Sequence, residues 1–96
     1  MRLLGLDPGL RNTGWGVIEV EGSRLIHVAH GTVTSDGSQA LSVRLTQLYE
    51  GVTGVIETWS PAAAAIEETF MNRNPGSALK LGQARGVVML APARLG

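Results

Sequence analysis

The sequence predicts an α/β domain in which three antiparallel strands and a fourth, parallel strand form a mixed sheet with helices packed on it. Three observations carry that prediction. Apolar runs broken by short Gly-containing turns fill residues 3–33, and a single apolar helical stripe follows over 41–59. A short apolar run, 62–66, then comes directly after a proline, which is the pattern of a helix returning to a sheet.

The first strand is Leu3-Leu4-Gly5-Leu6-Asp7, and Pro8-Gly9 turns the backbone so that Asp7 stands exposed at its C-terminal tip. Residues Gly14 to Val20 and Arg24 to Val33 read as two more strands joined by Glu21-Gly22-Ser23, which completes an antiparallel meander. His27 and His30 fall in the third strand. At that separation strict alternation sends them to opposite faces, so they are expected to serve as surface or packing residues rather than share a ligand.

Thr34 to Ser38 offers several helix N-caps, and Leu41, Leu45, Leu48, Val52, Val55 and Trp59 then recur at helical spacing until Ser60-Pro61 stops them. Gly51 and Gly54 weaken this helix by about 1 kcal/mol each relative to Ala, which a close approach to a neighbouring helix would justify. The alanines of 62–65 favour helix by propensity, but their position between a helix and Glu67-Glu68 favours a buried strand on which a helix can lie close. Thr69 to Arg73 reads as a polar loop carrying Phe70 and Met71. Asn74-Pro75 begins a second helix, an Asn cap followed by proline at the first helical position, and Pro92 is expected to end it. Gly82 and Gly86 share a face of this helix and suit tight helix packing; charged Lys80 and Arg85 interrupt the segment.

Ninety-six residues make a single domain, 1–96, and 44% hydrophobic with 17% charged residues marks a globular chain. No apolar run approaches the roughly 20 residues of a membrane span, and Met1-Arg2 does not begin a secretory signal, so a cytoplasmic location without membrane contact is expected. The absence of cysteine removes disulfides, thiolate nucleophiles and Cys-based zinc sites, leaving oxygen or imidazole to hold any metal. Balanced charge, eight Lys and Arg against eight Asp and Glu, argues neither for nor against nucleic acid.

A right-handed crossover through the first helix lays the Ala-rich strand beside the first strand. Asp7 and Glu67 then stand at neighbouring strand ends roughly 5 Å apart. Two carboxylates that close repel by about 4 kcal/mol at an effective dielectric of 20, so a shared proton or a cation is needed between them. A shared proton suits acid chemistry. A magnesium ion, with manganese as a substitute, suits phosphate chemistry, and two ions about 3.5 to 4 Å apart would activate water and stabilise the leaving oxygen. Solvation as ordinary surface acids is the other reading of the pair. Glu68 points to the opposite face by alternation. Near the acids, Arg73, Lys80 and Arg85 with Asn72, Asn74 and Ser77 read either as a phosphate anchor, helped by unpaired donors at the helix N-terminus, or as a solvated helix side. Arg11 and Asn12, in the loop after Asp7, are further candidates for a phosphate contact, which spacing alone does not require.

Leu4-Gly5-Leu6-Asp7-Pro8-Gly9 with Thr13-Gly14, then Ala65-Ile66-Glu67, Asn72 and the block Ser77-Ala78-Leu79-Lys80-Leu81-Gly82-Gln83-Ala84-Arg85-Gly86-Val87, resemble the RuvC family of Holliday-junction resolvases over nearly the whole chain. The resemblance implies a ribonuclease H-like fold and a homodimeric, magnesium-dependent endonuclease that nicks opposing strands of four-way junction DNA, alongside branch-migration helicase machinery. It implies that Asp7 and Glu67 are catalytic, metal-binding acids, and makes Phe70 a wedge or stacking residue at the opened junction; burial in the core is the competing role for that ring. The family pattern continues with a further strand, more helix and two more acids, so the C-terminal part of the fold is expected to be missing and the Ala-rich strand to present an apolar edge. Two other functions fit parts of the sequence. One is a truncated, catalytically inactive DNA-binding or dimerisation module; the other is an actin-like ATPase lobe, which also opens on a strand, an acid and a Gly-containing turn.

Overall fold

In the computed structural model, which describes residues 1–67 and 74–95, the chain runs β1 (Arg2–Asp7), β2 (Asn12–Glu21), β3 (Arg24–Thr34), α1 (Leu41–Trp59), β4 (Ala63–Ile66) and α2 (Pro75–Leu95). The sheet order is β3-β2-β1-β4; β1 and β2 pair antiparallel, as do β2 and β3, while β4 runs parallel to β1. This is the mixed sheet that the sequence predicts.

Alternation along the strands sets the layers. Leu4 and Leu6 of β1 and Val17 of β2 point to one face, where they meet Val52 of α1 and Val88 and Ala91 of α2 in the core. The opposite face carries Gly5, Asp7, Gly14 and Gly16 and has no helix over it among the described residues. Gly22-Ser23 closes the β2–β3 hairpin with Glu21 facing Arg24, and Gly22 takes φ +60°, which a II′ turn requires of its first central residue. Arg2 donates to the Trp59 carbonyl at 2.8 Å with its guanidinium 5.9 Å from the indole centroid, placing a cation at the negative end of α1.

Several local expectations are overturned. β4 is not buried: Ala63, Ala64 and Ala65 are exposed because β4 is an edge of the sheet, which is the apolar edge also foreseen for it. Gly51 makes its close approach to a strand rather than a helix, since a Cβ there would collide with Cγ1 of Val33 on β3. Gly54, Gly82 and Gly86 would each carry a Cβ into open space, so packing requires none of them. No side chain from 34–38 caps α1; its N-cap is Ala40, while Asp36 Oδ1 instead accepts from Ser38 N–H and Oγ. Ser60 ends α1 in the left-handed region, φ 48°, ψ 57°, rather than in the extended geometry usual before proline, and its N–H bonds the Ile56 carbonyl at 2.8 Å. Pro92 lies inside α2: with Val88 and Ala91 held in the core, packing of the last turns outweighs the one backbone bond that proline removes.

The largest departure lies in β3. Val17 pairs with Ala29 but Ile18 pairs with His27, so Val28 is an extra residue and the strand bulges. The bulge reverses alternation, Val28 packs toward the core, and His27 and His30 reach the same, open face, where His27 Nε2 and His30 Nδ1 are 2.9 Å apart.

Candidate functional site

The register between β1 and β4 builds the site. Leu3 aligns with Ala63, Leu4 with Ala64, Gly5 with Ala65 and Leu6 with Ile66, and the Glu67 N–H continues the ladder by donating to the Leu6 carbonyl at 2.9 Å. The next aligned pair is therefore Asp7 and Glu67. Residues aligned across a parallel pair share a face, and Leu6 and Ile66 turn toward the helices, so the two acids turn to the open face on backbones about 4.8 Å apart. Both are exposed and border an open depression of about 440 Å³ floored by Gly5, Gly14, Gly16 and Ala65. The small floor residues leave the space above the carboxylates free for a ligand.

The loop that follows Asp7 is tied down by its own polar atoms. Thr13, fully buried, donates its hydroxyl to the Gly9 carbonyl at 2.8 Å and accepts the Gly9 N–H at 3.2 Å. Gly9 must be glycine because a Cβ there would collide with the Asn12 carbonyl oxygen. Ser35 holds the loop from the far side: its N–H donates to the Arg11 carbonyl at 3.0 Å, its hydroxyl to the Leu10 carbonyl at 2.6 Å, and Arg44 Nε donates to that hydroxyl at 3.0 Å. Sequence reasoning did not single out Thr13 or Ser35 as positioning residues. The available signal was a Thr four residues after a glycine in a tight turn, where its hydroxyl can serve both backbone groups of that glycine.

Of the remaining predicted site residues, Phe70, Asn72 and Arg73 lie outside the described residues, as does Glu68. Asn74 caps α2, its Oδ1 accepting from Gly76 N–H at 2.9 Å and Ser77 N–H at 3.2 Å, while its carbonyl accepts from Ala78 N–H at 2.9 Å. Pro75 has no N–H, so the first turn offers no unpaired backbone donors, contrary to the expectation that they would serve a phosphate. Ser77 and Lys80 are exposed, whereas Arg85 points along its own helix, Nη1 lying 3.0 Å from Sδ of Met89. The rise of α2 separates Arg85 from Pro75 by about 15 Å along the axis. The structure thus brings Asp7 and Glu67 together and spreads the basic residues of α2.

Two adjacent carboxylates are hard donors of the kind that magnesium or manganese takes, with water and phosphate oxygens filling the other positions. Among the described residues no third His, Asp or Glu joins them in a possible metal-holding group. The donor set fits a hard divalent ion as one side of a site.

The family model described as crossover junction endodeoxyribonuclease RuvC matches residues 3–96. Two RuvC proteins similar to this chain over all its 96 residues are those of Rhodospirillum rubrum, 65% identical, and Paramagnetospirillum magneticum, 62% identical. The chain spans 57% and 58% of their respective lengths. Among solved structures, T. thermophilus RuvC in complex with a Holliday junction substrate superposes with a TM-score of 0.86 at 29% identity, over 98% of this chain and 60% of that one.

Proposed function

This chain belongs to the crossover junction endodeoxyribonuclease RuvC family, and from that membership we propose that it serves a metal-dependent endonuclease resolving four-way Holliday junctions by paired nicks in recombination and repair. The observation that carries the reading is the register of β1 and β4, which aligns Asp7 with Glu67 on one open face. In this reading residues 1–96 belong to one ribonuclease H-like domain, and Asp7 and Glu67 are its catalytic acids, holding magnesium, or manganese in its place. When bound, such an ion supplies Lewis-acid stabilisation of charge on phosphate oxygens.

The chain's own residues do the rest. The two carboxylates border the depression, and Thr13 and Ser35 fix the backbone that follows Asp7. The glycine floor admits a sugar-phosphate strand without displacing side chains. DNA contacts are assigned to Phe70, Asn72 and Arg73, which continue the chain from Glu67, and to Asn74, Ser77, Lys80 and Arg85 on the start and middle of α2. Phe70 would stack at the opened junction, and Ser77 and Lys80 would contact phosphates from their exposed positions. Exposed Leu79 and Leu90, which fall on one side of α2, supply apolar surface for a homodimer, whose paired sites would cut two strands. Branch-migration helicase machinery and a cytoplasmic setting belong to the same reading; no helix among the described residues is long and apolar enough to cross a membrane.

The test is cleavage of a labelled four-way junction beside a linear duplex of the same sequence, in magnesium and in EDTA. Nicks confined to the junction, dependent on the metal and lost in Asp7→Asn and Glu67→Gln, are expected. Equal cleavage of the duplex, or unchanged nicking in both variants, would overturn the reading, and junction binding without nicking would replace it with the binding module. Similarity to RuvC proteins does not favour an ATPase lobe.

A further inference from the structure

The imidazole pair that the β3 bulge creates stands on the same open face as the acids but two strands from Asp7 and three from Glu67, about 10 and 14 Å across the sheet by ordinary strand spacing. Nothing in the proposed nuclease chemistry uses it. The geometry points to a second metal site here, in which His27 and His30 together chelate a nitrogen-preferring divalent ion of tetragonal preference, copper(II) or nickel(II).

Three features support the assignment. The first is the separation of the nitrogens. Two nitrogens bound about 2.0 to 2.1 Å from one ion at right angles stand about 2.9 Å apart. His27 Nε2 and His30 Nδ1 are 2.9 Å apart, with ring centroids 5.1 Å apart and planes tilted by 56°. A tetrahedral ion would set the nitrogens about 3.4 Å apart, so the spacing as it stands lies nearer the right-angled arrangement of copper(II) and nickel(II).

The second feature is the bulge. An extra residue interrupts the ladder and re-aims the side chains beside it; in a regular strand, two imidazoles three residues apart would lie on opposite faces. The third is access. Both histidines are exposed, and His30 faces Gly16 across the β2–β3 ladder, so no cross-strand side chain crowds the space over its ring. His27 faces Ile18, while Leu25 and Thr32 flank the pair on its own strand face. Among the described residues no carboxylate completes a group of three possible ligands, so water fills the remaining positions.

In the metal-free pair one ring donates an N–H to the other. On binding, each ring carries its proton on its other nitrogen and both facing lone pairs turn to the ion, so ligation exchanges one hydrogen bond for two metal–nitrogen bonds without a net change of charge on the protein.

Nickel chloride titrated calorimetrically into the untagged chain tests the assignment. One ion per chain is expected, bound at least tenfold more weakly by His27→Gln and by His30→Gln, and with unchanged affinity by the Asp7→Asn/Glu67→Gln double variant. Both histidines are exposed, and circular dichroism of the variants verifies that they fold. Copper(II) loaded at one equivalent should show two equatorial nitrogens by electron paramagnetic resonance. Nickel affinity unaltered in either histidine variant, binding lost with the carboxylates instead, or a copper spectrum without two nitrogens would each overturn the second site. Loss of junction nicking alone, with nickel binding intact, would count against the nuclease reading and leave this one standing.

Discussion

At the β1/β4 end of the sheet, alternation runs undisturbed from Leu3 and Ala63 to Asp7 and Glu67, whereas in the middle of the β2–β3 hairpin one residue, Val28, reverses it. Both regions put a pair of like side chains on the open face. The acids arrive there because the parallel register is regular, so each carboxylate inherits its direction from the apolar residues before it. The imidazoles arrive there because the register is irregular, and nothing in the spacing of His27 and His30 announces the extra residue. A regular ladder therefore transmits side-chain direction over a whole strand, and a bulge cuts that transmission at one point.

The widest test of this contrast is at the acids. Two like charges aligned across a ladder destabilise the sheet, so Asp7→Asn should hold or raise the melting temperature while reducing metal-dependent nicking by about 100-fold or more, roughly 2.7 kcal/mol of barrier. Junction cleavage and thermal unfolding of the same variant check both halves. A variant that loses nicking and stability together would mean that Asp7 is a structural residue.

The next largest effect separates two glycines of α1. Ala at position 51 must push Cβ into Val33, a short β-branched side chain with little room to yield, at a cost of about 1 to 3 kcal/mol. Ala at position 54 meets nothing and should stabilise by up to about 1 kcal/mol through helix propensity. Urea midpoints of Gly51→Ala and Gly54→Ala should move in opposite directions; movement in the same direction would contradict the close approach of α1 to β3.

That pair also shows what the sequence can and cannot disclose. Strand order, the span of α1 and the neighbourly placement of Asp7 and Glu67 were legible because they follow from apolar periodicity and crossover handedness, which act over many residues. Whether Gly51 or Gly54 makes the contact depends on which turn of α1 crosses β3, and both glycines read alike in one dimension. The exposure of β4 follows from its place at the edge, not from its composition, and the continuation of α2 through Pro92 follows from the burial of Val88 and Ala91 beneath it. In the candidate site, the acids were visible as chemistry, while Thr13 and Ser35 became visible only when the loop after Asp7 was closed on them.

Thr13→Val keeps the volume and removes both bonds to Gly9, leaving two backbone groups of the turn without their partner. A loss of about 1 to 2 kcal/mol is expected, or about 5 to 15 °C in melting temperature for a domain of this size. Because the turn sets the exit from Asp7, metal affinity at the acids should fall as well, whereas nickel affinity at the histidines should not. Isothermal titration with manganese and nickel on the same preparation distinguishes a local loosening of the β1 end from a general loss of structure.

The smallest effect is at Asp36, in the turn before α1. Hydrogen bonds from the Ser38 side chain and backbone, with a smaller contribution from Gln39 and Arg44, hold its carboxyl below the usual carboxylate range, although the group is fully exposed. A carboxyl whose folded-state pKa is depressed stabilises the fold above its unfolded-state pKa and loses that contribution as pH falls through the folded value. The difference in melting temperature between the native chain and Asp36→Ala should therefore be present at neutral pH and shrink on acidification below about pH 4. A difference that stays constant across this range would show that the turn is held by backbone geometry rather than by the charged acceptor. Asp36 would then resemble the imidazole pair, with its direction set by a local irregularity of the chain.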